Sequence, residues 1–347
     1  MAALLVLLVL APGARVAADT RAISVLSYNV QNLFDAVEQG AEYDEFRAGR
    51  WDAARYAARL NRIAAALRDV HPGGADVLAL QEVENRRAAL DLRDRLRDLG
   101  YAYVVAVPND GADRGLTLTP VVLSRLPVLR VRLHQVWHDG RYLRPIVEAE
   151  LDLGGGRSLF LFNNHWKSKR GGAEETAPAR RAAATVLGDR IRELQRIDPL
   201  ADVLVTGDLN ESVDDHTAAG YPTALAGLPR GTAGVLAITG RPFDARPASD
   251  ARPPAGGVVL YSPWLELEAA GRGTVVHRDA WETPDHFLLS AGLFDREGVW
   301  YAPGGFAVIR DGLVSPATGY PLRWIGTDGH SDHLPILLHL QREGSRQ

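Results

Sequence analysis

The chain has 347 residues, 46% of them apolar and 24% charged, with a formal net charge of −4. Such a length and mixture fit a folded soluble protein of one large or two ordinary domains, and they exclude a molecule that holds polyanions through its bulk charge. Cysteine is absent, which excludes disulfides, thiolate metal sites, a cysteine nucleophile and a lipid-modified N-terminal cysteine.

The apolar run Ala2–Ala11 is too short to cross a bilayer, which takes about 20 residues. It has the length of a signal-peptide core, and Val16-Ala17-Ala18 supplies small residues for cleavage after Ala18. A basic segment ahead of the run is missing, and the competing reading is a buried first strand. Residues 1–18 are therefore expected to be an export signal, leaving 19–347 as a single domain in the periplasm or outside the cell.

Short β-rich runs then alternate with amphipathic helices. Ala22–Val30 reads as a strand. Asp52 is a plausible N-cap for a helix to about Val70, whose Tyr56, Leu60, Ile63, Ala64 and Leu67 share one face. Asp76–Val83 is a near-continuous apolar run, expected to be a strand covered on both sides. A second helix runs from Arg86 to Leu99 and stops at Gly100. Five strand-like runs follow in "YAYVVAV", "LTPVVLS", "VLRVRLHQV", "IVEAELDL" and "SLFLFNN". Pro120, inside the second of these, predicts an edge position or a bulge. A third helix is expected from about Arg180 to Arg196, before Asp198-Pro199. Asp202–Glu211 is a buried strand running into a loop, and 211–272 loses periodicity and reads as long loops. Asp285–Ser290 and Pro335–Leu340 are the last clear strands. One mixed α/β domain with many strands and few helices points to stacked sheets with helices outside.

Polar residues gather at the ends of these strands. They are Asn29 and Gln31, Gln81 and Glu82, Asn163 and His165, Asp208 and Asn210, Asp285, and Asp332-His333. Each alone has a dull explanation as a turn or surface residue. Together, Glu82, Asp208 and Asp332 are hard anionic oxygen ligands and Asn29 and Asn210 neutral ones. That set suits Mg²⁺ or Mn²⁺ rather than Zn²⁺, which would want more His or Cys. His165 and His333 could donate to a phosphate oxygen or carry protons, and Asp285 could orient one imidazole. The toolkit is that of metal-assisted phosphodiester hydrolysis. Lys167 and Lys169 are the only lysines in a chain otherwise written with arginine. Their clustering beside His165 suggests point charges placed on phosphate oxygens.

The segments "SYNVQNLFD", "LALQEVEN", "NNHWKSK", "VTGDLNE", "TPDHFLLS" and "SDHLPI" resemble, in order, the motifs of the endonuclease/exonuclease/phosphatase superfamily, from about Ser24 to Leu340. The resemblance implies a four-layer αββα sandwich, two packed mixed β-sheets flanked by helices, with the site at one rim. It implies that Asn29, Glu82 and Asp332 serve a catalytic Mg²⁺. Asp208 would position or deprotonate the attacking water, and Asn210 would bind the scissile phosphate. His333 would contact that phosphate, oriented by Asp285, and His165 would be a phosphate-binding or general-acid group. Lys167, Lys169 and Arg170 would meet flanking phosphates, with Arg114 lining the same groove. The form "NHWKSKRGG" most resembles secreted bacterial nucleases of that superfamily. The expected activity is therefore Mg²⁺-dependent hydrolysis of DNA or RNA with little sequence preference, by a monomer without stable membrane association. The alternatives are a sphingomyelinase or phospholipase C-type phosphodiesterase and an inositol-phosphate phosphatase. For the lipid enzymes only Val258–Leu267 offers a candidate apolar hairpin, and an ordinary strand is the preferred reading there.

Overall fold

The computed structural model describes residues 22–40, 42–108, 117–227, 236–243 and 258–342. The export signal read at 1–18 and Arg114 lie outside the described residues.

Alternation along the strands builds the layers. In β1 (Ile23–Leu33) Val25 joins one core and Leu26 the other, and in β2 (Val77–Val83) Val77 and Leu78 divide in the same way. The outer core holds α1 (Ala53–Val70) and α2 (Arg86–Arg95) against the first sheet. Asp52 caps α1 by accepting from the Arg55 amide, and Asn85 caps α2 by accepting from Ala88. The chain leaves α2 through a 3-10 turn, Arg97–Leu99, closed by Gly100 at φ 77°.

β3 (Tyr103–Ala106) and β4 (Thr119–Ser124) complete one edge of this sheet. The next strands, β5 (Val128–His138), β6 (Arg141–Gly154) and β7 (Arg157–His165), start the second sheet. α3 (Ala173–Ile197) packs on its far side through Ala183, Leu187 and Ile191, and leads to β8 (Asp202–Asp208). Then come α4 (Asp215–Ala218), β9 (Leu225–Gly227), β10 (Leu236–Thr239), β11 (Val258–Tyr261), and a separate hairpin of β12 (Val275–His277) and β13 (Ala280–Glu282). β14 (Asp285–Leu289), β15 (Val299–Val308) and β16 (Ile336–Arg342) follow. Among the described residues the first sheet runs β15-β16-β1-β2-β4-β3 and the second β5-β6-β7-β8-β14-β11-β10-β9. The second core lies between the sheets and beneath α3, so the molecule is the four-layer αββα sandwich.

Two elements differ from expectation. α3 begins at Ala173, not near Arg180, with Pro178 inside it. The guanidinium of Arg180 donates to the Ala173 carbonyl and Thr176 Oγ1, and that hydroxyl donates to the Gly172 carbonyl, so the first turns survive the lost proline N–H. Within 211–272, β9, β10 and β11 are short parallel strands that extend the second sheet, too short to leave a periodic trace. Buried Glu211 organises them, accepting from Arg180 and from the Ala224 and Leu225 amides. Val258–Leu267 starts as the strand preferred over a lipid-inserting hairpin and turns into a 3-10 helix, with Tyr261 and Trp264 fully buried and Leu265 exposed.

Pro120 is not at an edge, because β4 lies between β2 and β3. It sits at a bulge: Leu80 pairs with Val121 and Val83 with Thr119, so Gln81 and Glu82 together oppose one residue. A proline cannot donate to the ladder, and the bulge is where none is needed.

Candidate active site

The site forms where the two sheets end side by side. In the second sheet His165 pairs with Asp208, and Asp208 pairs with Asp285, so three neighbouring strands each present one functional side chain. Gly207 permits this approach. Its φ is +116°, and a Cβ there would stand 2.1 Å from the Asn164 carbonyl oxygen. From the first sheet, the β2 bulge leaves Glu82 at φ 64°, and β1 bulges between Asn29 and Leu33 with Gln31 and Asn32 at φ 50° and 57°. Asn210 is also left-handed, at φ 53°. Four non-glycine residues in that region around one rim mark a backbone held to a purpose by its surroundings.

Asn29 joins the two sheets. Its Nδ2 donates to Glu82 Oε1 at 3.2 Å and to Asp208 Oδ2 at 3.0 Å, while its Oδ1 accepts from the Gln31 amide. Glu82 Oε2 accepts from the Asn32 amide, and Asp208 Oδ1 from the Asn210 amide. Burial, then the charge of Asp332, raises Glu82 above the usual carboxylate range. Burial pushes Asp208 up to about 7, with His333 pulling it down and Asp285 and Glu82 pushing it further up.

The two histidines differ. His333 Nδ1 meets Asp285 Oδ2 at 2.8 Å, and its Nε2 lies 3.9 Å from Asp208 Oδ2. Burial opposes charge on this ring, but the Asp285, Asp208 and Asp332 carboxylates outweigh it and raise its pKa well above the ordinary value. Thr274 Oγ1 donates to the same Asp285 oxygen, whose partner oxygen Oδ1 is buried without a hydrogen bond. His165 Nδ1 faces the Leu118 carbonyl at 3.1 Å, and its Nε2 lies 3.8 Å from both Glu82 Oε1 and Asp208 Oδ2. Burial first, and Arg144 second, hold His165 well below the ordinary histidine range. A carbonyl only accepts, so the hydrogen of this neutral ring is on Nδ1 and Nε2 is an acceptor. With Nδ1–H on that carbonyl, Nε2 faces the rim, accepting when the ring is neutral and donating when it is charged.

The donor set fits a hard divalent cation. Glu82 and Asp208 share a single amide donor, both are raised by burial, and Asp332 adds a third negative charge. Among His, Asp and Glu side chains of the described residues, Asp208, Asp285 and His333 are the group whose ligating atoms all lie within 4.8 Å. Since Asp285 and His333 already bind each other, that trio is a hydrogen-bonded pair whose free imidazole edge lies 3.9 Å from Asp208. Glu82, with Asp208 adjoining, offers the oxygens such an ion takes, whereas Asn29 turns its amide NH2 toward them and keeps Oδ1 on the Gln31 amide, so it positions the carboxylates.

The expected phosphate-binding residues separate. Lys169 Nζ is bound to Asp215 Oδ2 at 2.9 Å and Glu282 Oε2 at 3.2 Å, and these carboxylates overcome burial and raise its pKa. It ties α4 and β13 to the loop after β7 instead of offering a free charge. Lys167 makes only long contacts, at 3.4 Å, to Ser168 and the Arg170 carbonyl. Burial and the nearby Arg144 lower its pKa. Arg170 is exposed, and Asn210 Nδ2 donates to the Trp166 carbonyl at 3.2 Å. Gln81 and Asn163 bond each other across the two sheets at 2.7 Å and are structural.

Sequence reasoning missed Arg144 and Arg59. Arg144 lies with His165 and Lys167 around one recess, whose other walls are Leu143, Trp166 and Ala183. Arg59, fully buried in α1, donates to the carbonyls of Val30, Gln31 and His330 and stacks 4.5 Å over Trp324. It pins the β1 bulge to the loop that carries Asp332 and His333. Gln31 does the same through Oε1, which accepts from the Trp324 and Asp332 amides. A buried arginine within an otherwise apolar helix face was the available signal.

Comparison with known proteins places this geometry. No curated protein sequence matches the chain. TDP2 from D. rerio, solved with a single-strand DNA product, superposes with a TM-score of 0.54 at 17% identity, covering 92% of this chain and 98% of that one. An endonuclease/exonuclease/phosphatase from Bacteroides vulgatus gives 0.54 at 18% identity, over 93% and 99%. A mannosyl-6-phosphatase from Bacteroides thetaiotaomicron gives 0.51 at 15% identity, over 92% and 99%. At these identities the likeness is one of fold. The sequence profile of the Endonuclease/Exonuclease/phosphatase family matches residues 24–226, more than half the chain, and the protein belongs to that family.

Proposed function

We propose that the protein is an exported, divalent-metal-dependent phosphodiesterase acting on nucleic acid. The observation that carries this reading is the hydrogen-bonded pair Asp285–His333 abutting Asp208, beside carboxylates that share Asn29. A base, a charged donor and a hard-cation site thus meet at one point. Asp208 accepts the proton of the attacking water, for which its raised pKa suits it. His333, kept charged by Asp285, donates to a phosphate oxygen. Asn210 offers its side-chain amide to the same phosphate, and His165 accepts at Nε2 to orient water. Glu82 and Asp332 would hold Mg²⁺ or Mn²⁺, with Asn29 positioning Glu82, and the ion would supply positive charge against that developing on the phosphate.

Nucleic acid is favoured over a small monoester by the cations Lys167 and Arg144 beside His165, outside the acidic centre. TDP2 of the same fold binds a DNA strand, which supports the reading as analogy. The apolar run at Ala2–Ala11 supports export. The test is purified protein with Mg²⁺ on plasmid DNA, total RNA, sphingomyelin and a sugar phosphate in parallel. Cleavage of DNA or RNA that stops in EDTA is expected. Turnover of the sugar phosphate alone would replace this reading with a phosphatase.

A further inference from the structure

The β5–β6 hairpin carries two aromatic rings outside the core. Trp137 is 56% exposed and Tyr142 41% exposed, and they pair across the strands. Their ring centroids are 4.7 Å apart at 74°, so Tyr142 buttresses Trp137 edge-on and leaves the indole accessible. The turn between them, Asp139-Gly140, has φ of 48° and 72° at its two central residues. That is the tight turn whose twist matches the strands, so the rings stand on a stiff support.

This hairpin rises from the site's own rim. β6 runs antiparallel to β7, so the end bearing Tyr142 extends past His165 at the end of β7. β6 also bulges at Arg144-Pro145, where His134 pairs with Ile146 but Val136 with Leu143. Arg144 thereby enters the recess it shares with His165 and Lys167. Tyr142 lies two residues from Arg144, about 7 Å along a strand. The path from the acidic centre is therefore His165, then Lys167 and Arg144, then the aromatic pair.

We propose that Trp137, braced by Tyr142, is a stacking platform for a base of an unpaired polynucleotide strand whose adjoining phosphate occupies the Arg144–Lys167 recess. The inference rests on the phosphodiesterase reading and names its substrate class. Aromatic faces interleaved with cations are what single strands require, whereas a duplex keeps its base faces stacked inside. A lipid surface fits less well. The tip between the rings is His138, Asp139, Gly140 and Arg141, and insertion would carry charges into the bilayer.

The experiment measures binding of a labelled single-stranded oligonucleotide to the full chain in EDTA, by fluorescence anisotropy. Trp137→Ala should weaken binding by about 10-fold or more, Trp137→Phe should retain most of it, and a duplex of the same sequence should change by less than about 2-fold. Equal affinities for parent and Trp137→Ala, or equal losses on single strand and duplex, would overturn the platform. So would loss of sedimentation with phosphatidylglycerol vesicles alongside unchanged oligonucleotide binding. The two proposals fail separately. Oligonucleotide binding through Trp137 without any phosphodiester cleavage would sink the enzyme reading alone. Cleavage of DNA with no change in affinity on losing Trp137 would sink the platform alone.

Discussion

The buried carboxylate of Glu148, inside the second sheet, and the carboxylates of the rim, where the two sheets meet, have opposite electrostatics. Glu148, in the middle of β6, accepts from both nitrogens of an Arg190 fork at 2.8 and 2.9 Å, from Arg132 at 2.9 Å, and meets His134 at 2.6 Å. Burial alone would raise its pKa, but His134 and Arg190 outweigh it and hold the carboxyl down at about 2. At the rim, Asp208 is buried and Glu82 half-buried, yet the side-chain donor they share is a neutral amide and both are raised. A carboxylate with a cation in the fold fastens α3 to its sheet. Carboxylates held by a neutral amide, with the charge of His333 too distant at 3.9 Å to hold them down, cost stability and are left open to reactivity or a metal.

The largest effect should come from breaking the rim. Asp208→Asn and His333→Ala should each lower turnover by about 10³-fold or more, through loss of a base or of transition-state stabilisation. Asp208→Asn should also raise the melting temperature in EDTA, because it removes a buried charge whose folded pKa lies above the unfolded one. The proton is bound more tightly in the folded state, so this group's contribution falls as pH rises from 3.8, the ordinary aspartate value, through about 7. Mg²⁺ should stabilise the parent more than this variant in thermal melts. A variant that melts lower and responds to Mg²⁺ like the parent would put Asp208 outside the strained centre.

Breaking the paired cluster should do the reverse. Glu148→Gln leaves Arg190 and His134 without their counter-charge and should cost about 3–5 kcal/mol of stability. Turnover per folded molecule should stay near the parent's. The sign of the pH effect is also opposite. The folded pKa is depressed, so the stabilisation is complete above the unfolded value of 4.5 and is lost as pH falls towards about 2. The size is about 3 kcal/mol. Urea melts between pH 5 and pH 2 should show the parent losing stability more steeply than Glu148→Gln.

The paired histidines give an intermediate test. His286 follows Asp285 in β14, but its side chain lies on the other face, where Nε2 donates to the Glu211 carbonyl at 2.7 Å. Replacing it by Gln should cost stability, about 1–3 kcal/mol, and little turnover. Turnover losses as large as those of His333→Ala would mean that His286 serves the chemistry.

Much of this contrast was legible in the sequence, though unevenly. The β-rich run Ala22–Val30 and the near-continuous apolar run Asp76–Val83 gave β1 and β2, and the period of Tyr56, Leu60, Ile63 and Leu67 gave α1. Asn29, Glu82, Asp208, Asp285 and His333 could be picked out because polar groups at the ends of apolar strands have little core to serve. Their convergence depended on the resemblance of ordered motifs, since register pairs such as Asp208 with Asp285 are not encoded locally. Glu148 was invisible. One of three alternating acids in "IVEAELDL", it reads as an outward strand position until α3 lays Arg190 across it. Arg144 was hidden for a related reason, because a bulge and not alternation aims it. The three- and four-residue strands between 225 and 261 are shorter than any period that could reveal them.

The smallest expected effect separates the two lysines, which the sequence treats alike and the structure does not. Lys169 already has its counter-charges in Asp215 and Glu282, so it repeats the Glu148 arrangement in miniature. Lys167 stands among Arg144, Arg141 and Arg180, and like the rim acids it is moved toward neutrality by burial and by like charge. A cation in such company gains most from an incoming phosphate. Lys167→Ala should therefore flatten the plot of log K against log salt for DNA by roughly 0.9. It should raise KM with little change in kcat, as expected for contacts made equally before and during the reaction. Lys169→Ala should leave that slope unaltered and should instead cost about 1 kcal/mol, since two partly buried acids lose their partner. A salt slope that responds to Lys169 and not to Lys167 would show that substrate opens the Asp215–Lys169–Glu282 tie on binding, and the division between paired and unpaired charge would then describe only the free protein.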